Sequence, residues 1–229
     1  MQRCSGVALA AALPAAMDGG PTHDMESHMK LYYSPGACSL SPHIALLEAG
    51  LAHNLTKVDL KAKKLEDGSD FLQVNPKGQV PTLQLDDGTI LTEGPVIVQA
   101  IADKAADKKL APSNGTTERY RLQEWLNFLT SELHKNFSPL FAPVLSDETK
   151  QFFRDRLMGK LTHVNSKLAG NDYLMGKQFS VADGYLYTML RWADAHKFDL
   201  SGLKDLMAYK ARVAARPHVQ EALKSEGLS

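Results

Sequence analysis

The chain has 229 residues, of which 44% are hydrophobic, with 26 basic and 26 acidic side chains. This length exceeds that of most single domains and fits two, and the apolar content is sufficient for a packed core. The balanced charge provides no basic excess for nucleic acid, and no apolar run is long enough for a transmembrane helix, so we expect neither nucleic acid nor a membrane as a partner.

The first 28 residues differ in composition from the rest of the chain. A run of small and apolar residues over 4–16 is followed by a turn-rich polar stretch that ends near Met29, which resembles a second start. We predict that 1–28 is a disordered, dispensable extension that arises from a tag, an upstream start or a weak signal peptide.

The two cysteines, Cys4 and Cys38, are too few for the disulfide framework of a small secreted domain. Because Cys4 lies in the extension, the folded part carries one thiol. A single thiol fits a reducing compartment, so we expect a cytoplasmic protein; a periplasmic location is the alternative if the extension is a signal peptide.

The regular pattern begins with a short strand over 30–33, which Pro35 and Gly36 end. An amphipathic helix over 39–50 and a second strand over 54–60 follow. A strand–helix–strand unit places its two strands parallel, with the helix as the crossover.

A charged connection over 61–69 and a short helical piece near Phe71 lead to a strand over 80–85. Asp87 and Gly88 form a strong hairpin signal, which predicts an antiparallel return strand over 89–91. Pro95 suits the first turn of the helix that follows. The order strand–helix–strand, strand–strand–helix predicts a thioredoxin-like α/β domain over 29–107.

We predict a linker over 108–116 and an all-helical domain over 117–229. Its expected helices, with a break at Pro139 and Pro143, cover 117–136, 147–168, 184–196, 203–214 and 217–223. Ser180 and Asp183 have the spacing of a capping box, and the helix after them is largely apolar and therefore predicted to be central. We expect Asp183 to serve folding rather than chemistry.

Several segments together resemble glutathione transferases, specifically the bacterial beta class. They are KLYYSPGACS at 30–39, VNPKGQVP at 74–81, LDDGT at 85–89, LTEG at 91–94, WLN and SELHK within 125–135, and SVAD at 180–183. Their order and spacing cover nearly all of 29–229. The resemblance implies an enzyme that conjugates reduced glutathione to electrophilic, hydrophobic or halogenated small molecules, works as a homodimer, and needs glutathione as co-substrate but no cofactor and no metal.

The resemblance also implies a glutathione site on the first domain. In the family the proline that matches Pro81 is cis and turns the backbone of Val80 outward, where it pairs with glutathione like an added strand. Glu93 and Gly94 lie at a helix start, where backbone N–H groups can bind a carboxylate and the Glu93 side chain can bind an ammonium. Lys63 matches a residue that reaches the glycine carboxylate of glutathione, although a solvated lysine is nearly as good an interpretation.

Cys38 is expected at the reactive end of this site, between a strand and a helix, a position that lowers a thiol pKa. Ser41 replaces the second cysteine of a C-x-x-C pair, which excludes a dithiol cycle but leaves a monothiol one open. By resemblance, His134 hydrogen-bonds the sulfur and Lys135 adds positive potential.

Three more residues on the helix of His134 are implied to approach glutathione in their own or the partner subunit: Asn127, Ser131 and Glu132. Four apolar residues could either line the electrophile pocket or belong to the core: Phe137, Leu140, Phe141 and Trp192. Two alternative functions stay open, a monothiol disulfide oxidoreductase that uses Cys38 and a non-catalytic protein that binds apolar ligands.

Overall fold

The computed structural model describes residues 29–228, so the prediction for 1–28 lies outside the described residues. The chain opens with β1 (Lys30–Tyr33), α1 (Leu40–Ala49) and β2 (Asn54–Asp59). Strands β1 and β2 are parallel, with Lys30 opposite Asn54. Gly50 ends α1 in the left-handed conformation, at φ 65°, that glycine adopts without strain. The predicted strand–helix–strand unit is confirmed.

The sheet has five strands in the order β3-β2-β1-β4-β5. Strand β3 (Lys64–Leu65) pairs antiparallel with β2, whereas β4 (Thr82–Gln84) and β5 (Ile90–Thr92) form the predicted hairpin beside β1. Strand β3 was not predicted, because two residues in a charged segment carry no alternation pattern. It turns the 61–69 connection into an edge of the sheet.

Helix α2 (Gly94–Lys104) packs with α1 on one face of this sheet. Leu31 and Leu83 of the sheet and Ile44, Ile97 and Ile101 of the helices are fully buried there. The Val80–Pro81 peptide bond that leads into β4 is cis, as the resemblance implied. The thioredoxin-like fold is therefore confirmed.

The second half of the described chain is helical. Its helices are α3 (Thr117–Phe128), α4 (Lys135–Phe137), α5 (Asp147–Leu168), α6 (Val181–Ala195), α7 (Lys204–Ala214) and α8 (Pro217–Ser225). Helix α6 is central, and most of its side chains are buried, as its apolar composition predicted. Ser180 and Asp183 form the predicted capping box at its start.

A π-helical segment, Leu129–His134, joins α3 to α4. The sequence predicted one continuous helix here, and nothing in its ordinary helix-forming residues signals the wider turn. Such segments are rare and occur mostly as single turns at functional sites. This one carries His134 at its end.

The two halves of the molecule meet along α1, which packs against α6 and α8. At Gly184 an added Cβ would lie 3.4 Å from the Ile44 side chain, so a glycine lets α6 approach α1 closely. Arg216 binds Glu48 of α1 through two hydrogen bonds of 2.6 and 2.8 Å. No helix among residues 29–228 is long and apolar enough to cross a membrane.

Candidate active site

A cleft of about 280 Å³ opens between the loops of the first half and the π-helical segment of the second. Eight of the residues implied by the resemblance line it: Cys38, Lys63, Val80, Pro81, Glu93, Gly94, His134 and Lys135. They come from five separate stretches of the chain. The fold thus brings most of the predicted site together.

Cys38 lies at the floor of the cleft, in the turn between β1 and α1. Its Sγ donates a hydrogen bond to the Val80 carbonyl oxygen at 3.1 Å. Removal from water raises the pKa of the Cys38 thiol to about 11, and the backbone N–H groups of Cys38 and Ser39 and the nearby Lys135 offset this only in part. The expectation that this position lowers the thiol pKa is therefore wrong, because burial outweighs the helix start.

The turn that carries Cys38 is held by residues far along the chain. Trp192 Nε1 donates to the Gly36 carbonyl oxygen at 2.8 Å, and Gly36 N donates to Glu226 Oε2 at 3.0 Å. The other oxygen of the buried Glu226 carboxylate lies 2.9 Å from His43 Nδ1. The sequence could not have indicated these partners, which lie 156 and more residues from the turn.

The wall beside Cys38 is formed by backbone. Val80 and Pro81 are buried, and the Val80 carbonyl oxygen faces Cys38 at the edge of β4. Lys63 Nζ donates to the Gly78 carbonyl oxygen at 2.7 Å, so the lysine side chain lies along this wall and not in open solvent.

Glu93 precedes the first residue of α2 and has a φ of 67°. A non-glycine residue in this region is strained, and such strain is concentrated at functional sites. Lys63, with a φ of 57°, lines the same cleft. The exposed Glu93 carboxylate accepts a hydrogen bond from Lys77 Nζ at 2.7 Å, so in this structure it already pairs with the ammonium group of that lysine.

His134 enters the cleft from the end of the π-helical segment. Its Nδ1 lies 2.7 Å from the hydroxyl of Tyr185, and its ring meets the Trp192 ring edge-on with centroids 5.0 Å apart. Burial, together with the positive charge of Lys135, lowers the pKa of His134 to about 4. The imidazole is therefore neutral near pH 7. Tyr185 also lines the cleft but had no signal in the sequence, because its role depends on a contact across 51 residues.

Asn127, Ser131 and Glu132 do not line this cleft. Asn127 and Ser131 are exposed, and the Glu132 carboxylate is paired with Lys160 of α5 at 2.7 Å.

The four apolar residues fall into two groups. Phe137, Leu140 and Trp192 are buried, whereas Phe141 is 53% exposed. The Phe141 ring contacts the Trp192 ring edge-on at 5.6 Å, and Trp192 in turn contacts His134. Phe141 therefore presents exposed aromatic surface beside Trp192 but is not among the residues that line the cleft, while the other three belong mainly to the core.

A thioredoxin-like domain that faces a helical domain across such a cleft is the architecture of glutathione S-transferases. The family model described as "Glutathione S-transferase, N-terminal domain" matches residues 36–104, and that described as "Glutathione S-transferase, C-terminal domain" matches residues 118–226.

Individual relatives agree with these matches. Glutathione S-transferase GstA of Escherichia coli O157:H7 is 50% identical over 200 residues, which cover 87% of this chain and all of that protein. The solved structure of the beta-class glutathione S-transferase of Sphingomonas chungbukensis is 50% identical to this chain, with a TM-score of 0.85. A sphingomonad glutathione S-transferase complexed with glutathione is also 50% identical, with a TM-score of 0.84. Each match covers 87% of this chain and the whole of the other chain. The chain belongs to the glutathione S-transferase family, in its bacterial beta class.

Proposed function

We propose that the protein conjugates reduced glutathione to electrophilic, hydrophobic or halogenated small molecules in the cleft at Cys38. The observation that carries the proposal is the convergence on one cleft of the Val80 backbone, a glutamate with a strained backbone at a helix start and a neutral histidine. The family's chemistry requires a site that binds the tripeptide along its length and holds its sulfur beside hydrogen-bond donors.

Each part of glutathione has a matching group in the cleft. The ammonium group of the γ-glutamyl unit binds the Glu93 side chain. The carboxylate of the same γ-glutamyl unit binds backbone N–H groups at the start of α2, where Gly94 lies. The cysteinyl backbone pairs with Val80 beside Pro81. The glycine carboxylate binds Lys63. The sulfur then lies between the Cys38 turn and His134.

The reaction needs the thiolate form of glutathione. The glutathione thiol releases its proton to solvent, and His134 and Lys135 stabilise the remaining charge. The thiolate sulfur forms a bond to the electrophilic carbon; with a halogenated substrate, the halide leaves with the bonding electron pair. The protein contributes orientation and charge stabilisation and forms no covalent bond in this step. Phe141, exposed beside Trp192, offers an aromatic surface to the electrophile.

Disulfide exchange through Cys38 has less support. A thiol with a pKa of about 11 is almost entirely protonated near pH 7, and the attacking species in exchange is the thiolate. The hydrogen bond from Sγ to Val80 also has to break before Cys38 can react.

We further propose a cytoplasmic homodimer. Asn127, Ser131 and Glu132 lie outside the cleft of their own chain, which fits contact with glutathione in the partner subunit. Gel filtration with light scattering should give twice the chain mass; a monomer would contradict the dimer.

The binding mode is tested by steady-state kinetics with glutathione and 1-chloro-2,4-dinitrobenzene. Glu93→Gln removes the charge that binds the ammonium, so the KM for glutathione should rise about 10- to 100-fold, the loss typical of a charged hydrogen bond. Glu148→Gln is the matched control, since Glu148 is an exposed glutamate in the first turn of α5. Equal KM values for the two variants would refute the assignment of Glu93.

A further inference from the structure

His134 lines the cleft and has one of its two ring nitrogens bound within the protein. Nδ1 lies 2.7 Å from the Tyr185 hydroxyl, whereas Nε2 has no described partner among residues 29–228. Because the low pKa of His134 keeps the ring neutral, only one of the two nitrogens carries a proton. Which nitrogen carries it decides whether the cleft contains a hydrogen-bond donor or an acceptor.

The protons around Tyr185 can be assigned from three distances. Thr130 Oγ1 donates its single proton to the Leu126 carbonyl oxygen at 2.8 Å, since a carbonyl can only accept. The weak 3.4 Å contact between Thr130 Oγ1 and Tyr185 Oη has Thr130 on the donor side, so it offers no acceptor for the Tyr185 proton. Among the described residues, the acceptor within reach of that proton is His134 Nδ1, at the 2.7 Å of a strong hydrogen bond. A proton on Nδ1 would leave the buried Tyr185 hydroxyl without an acceptor, so the proton of Tyr185 belongs on the bond to His134.

We propose that Tyr185 is a positioning residue that fixes His134 as the Nε2–H tautomer and so presents a hydrogen-bond donor to the glutathione sulfur. A phenol that donates to Nδ1 requires that nitrogen to be bare, which places the ring proton on Nε2. This inference rests on the proposed function for its sulfur ligand, although the tautomer itself exists without glutathione.

Packing holds the ring in the same orientation. Tyr185 is buried on the central helix α6, and its ring meets that of His134 at 81° with centroids 5.9 Å apart. Trp192, two turns further along α6, contacts the imidazole at 5.0 Å. The imidazole therefore contacts both the Tyr185 hydroxyl and the Trp192 indole, and rotation of the ring would break the hydrogen bond to Tyr185. The other tautomer would place a lone pair toward an anionic sulfur and repel it.

The variant that tests the proposal is Tyr185→Phe, which removes the hydroxyl and keeps the ring. We expect kcat with 1-chloro-2,4-dinitrobenzene to fall about 10-fold or more, the loss typical when the partner that orients a functional histidine is removed. The KM for glutathione should stay within about twofold, because Tyr185 is inferred to contact His134 and not the tripeptide. Tyr187→Phe is the matched control: Tyr187 is buried on the same helix but does not line the cleft.

A double-mutant cycle separates positioning from a general structural effect. In a His134→Ala background, Tyr185→Phe should have no further effect on kcat, because the hydroxyl then has no imidazole to orient. An equal loss of kcat in both backgrounds would overturn the proposal. This comparison stays valid even if Tyr185→Phe is less stable than wild type.

The tautomer can be measured directly in the glutathione-free protein. Two-bond ¹H–¹⁵N couplings in ¹⁵N-histidine-labelled enzyme should show His134 with Nε2 protonated and Nδ1 bare, and a mixture of tautomers in Tyr185→Phe. A proton on Nδ1 in the wild type would overturn the inference. That result would leave the proposed glutathione conjugation intact. If the wild type instead has the expected tautomer but does not conjugate glutathione, the proposed function is contradicted and the tautomer assignment is not.

Discussion

Asp183 is a buried carboxylate that accepts four hydrogen bonds, and its replacement by alanine should be severely destabilising. Its Oδ1 accepts hydrogen bonds from Leu174 N at 2.9 Å and Tyr209 Oη at 3.0 Å, and its Oδ2 accepts from Ser180 N at 2.7 Å and Ser180 Oγ at 2.8 Å. The residue is fully buried, so water cannot replace the carboxylate without reorganisation. Asp183→Ala leaves these donors without their acceptor.

The magnitude follows from which donors can find another partner. Tyr209 retains the Asp183 carbonyl oxygen at 3.2 Å, and the Ser180 hydroxyl can rotate. The backbone amides of Leu174 and Ser180 cannot find another acceptor. Each buried donor left unpaired costs about 1–3 kcal/mol. For the two amides together, of which that of Ser180 is the capping-box donor, we expect the free energy of unfolding to fall by about 4 kcal/mol, or the Tm by about 8–16 °C.

The assay is urea and thermal unfolding followed by circular dichroism. Ser146→Ala is the matched control, because Ser146 caps α5 through a 3.2 Å bond to Thr149 N at an exposed site. That variant should lose only about 1 kcal/mol. If Asp183→Ala loses no more stability than Ser146→Ala, the buried network contributes nothing beyond an ordinary helix cap and the reasoning is refuted.

Three further predictions concern other contacts. Glu48→Ala should lose about 3 kcal/mol in urea unfolding, because the Glu48 side chain, only 7% exposed, pairs bidentately with Arg216. Adding Arg216→Ala should recover part of this loss, and strict additivity of the two losses would contradict a direct coupling. Hydrogen bonds from Arg119 lower the pKa of Asp103 below its ordinary value of 3.8. The Asp103 carboxylate therefore stabilises the fold above that pH, and this stabilisation is lost as the pH falls through the lower folded-state pKa. The difference in unfolding free energy between wild type and Asp103→Asn should shrink below pH 4, and a constant difference would exclude this linkage. With the other cysteine replaced, alkylation of Cys38 by iodoacetamide should accelerate about tenfold per pH unit up to near pH 10, whereas a plateau near pH 7 would show that the thiol is acidic.

Local patterns were sufficient to predict most elements of this fold. The bounds of β1 and α5 agree with the sequence prediction, because Pro35 and Gly36 end the strand and the break at Pro139 and Pro143 precedes the helix. Strand β3 and the π-helical segment were missed, since neither has a local signature. The π segment depends on how α3 meets the rest of its domain.

The sequence predicted the site residues that belong to a recognisable motif. It did not predict the properties that depend on how the side chains pack in three dimensions. Val80, Glu93 and His134 lie in the cleft as the resemblance implied. The pKa of Cys38 was predicted in the wrong direction, because a helix start is visible in a sequence and the depth of burial is not. Tyr185 was missed for the same reason: its hydroxyl matters through one tertiary contact.

The central claim is that the protein activates the sulfur of glutathione and does not use its own. The most direct measurement is the initial rate of glutathione conjugation to 1-chloro-2,4-dinitrobenzene by wild type and Cys38→Ala in parallel. We predict measurable, glutathione-saturable conjugation by both, with a reduced rate in the variant, because the nucleophile is supplied by glutathione. No conjugation by either protein, with glutathione still bound, would contradict the account and favour disulfide exchange or ligand sequestration.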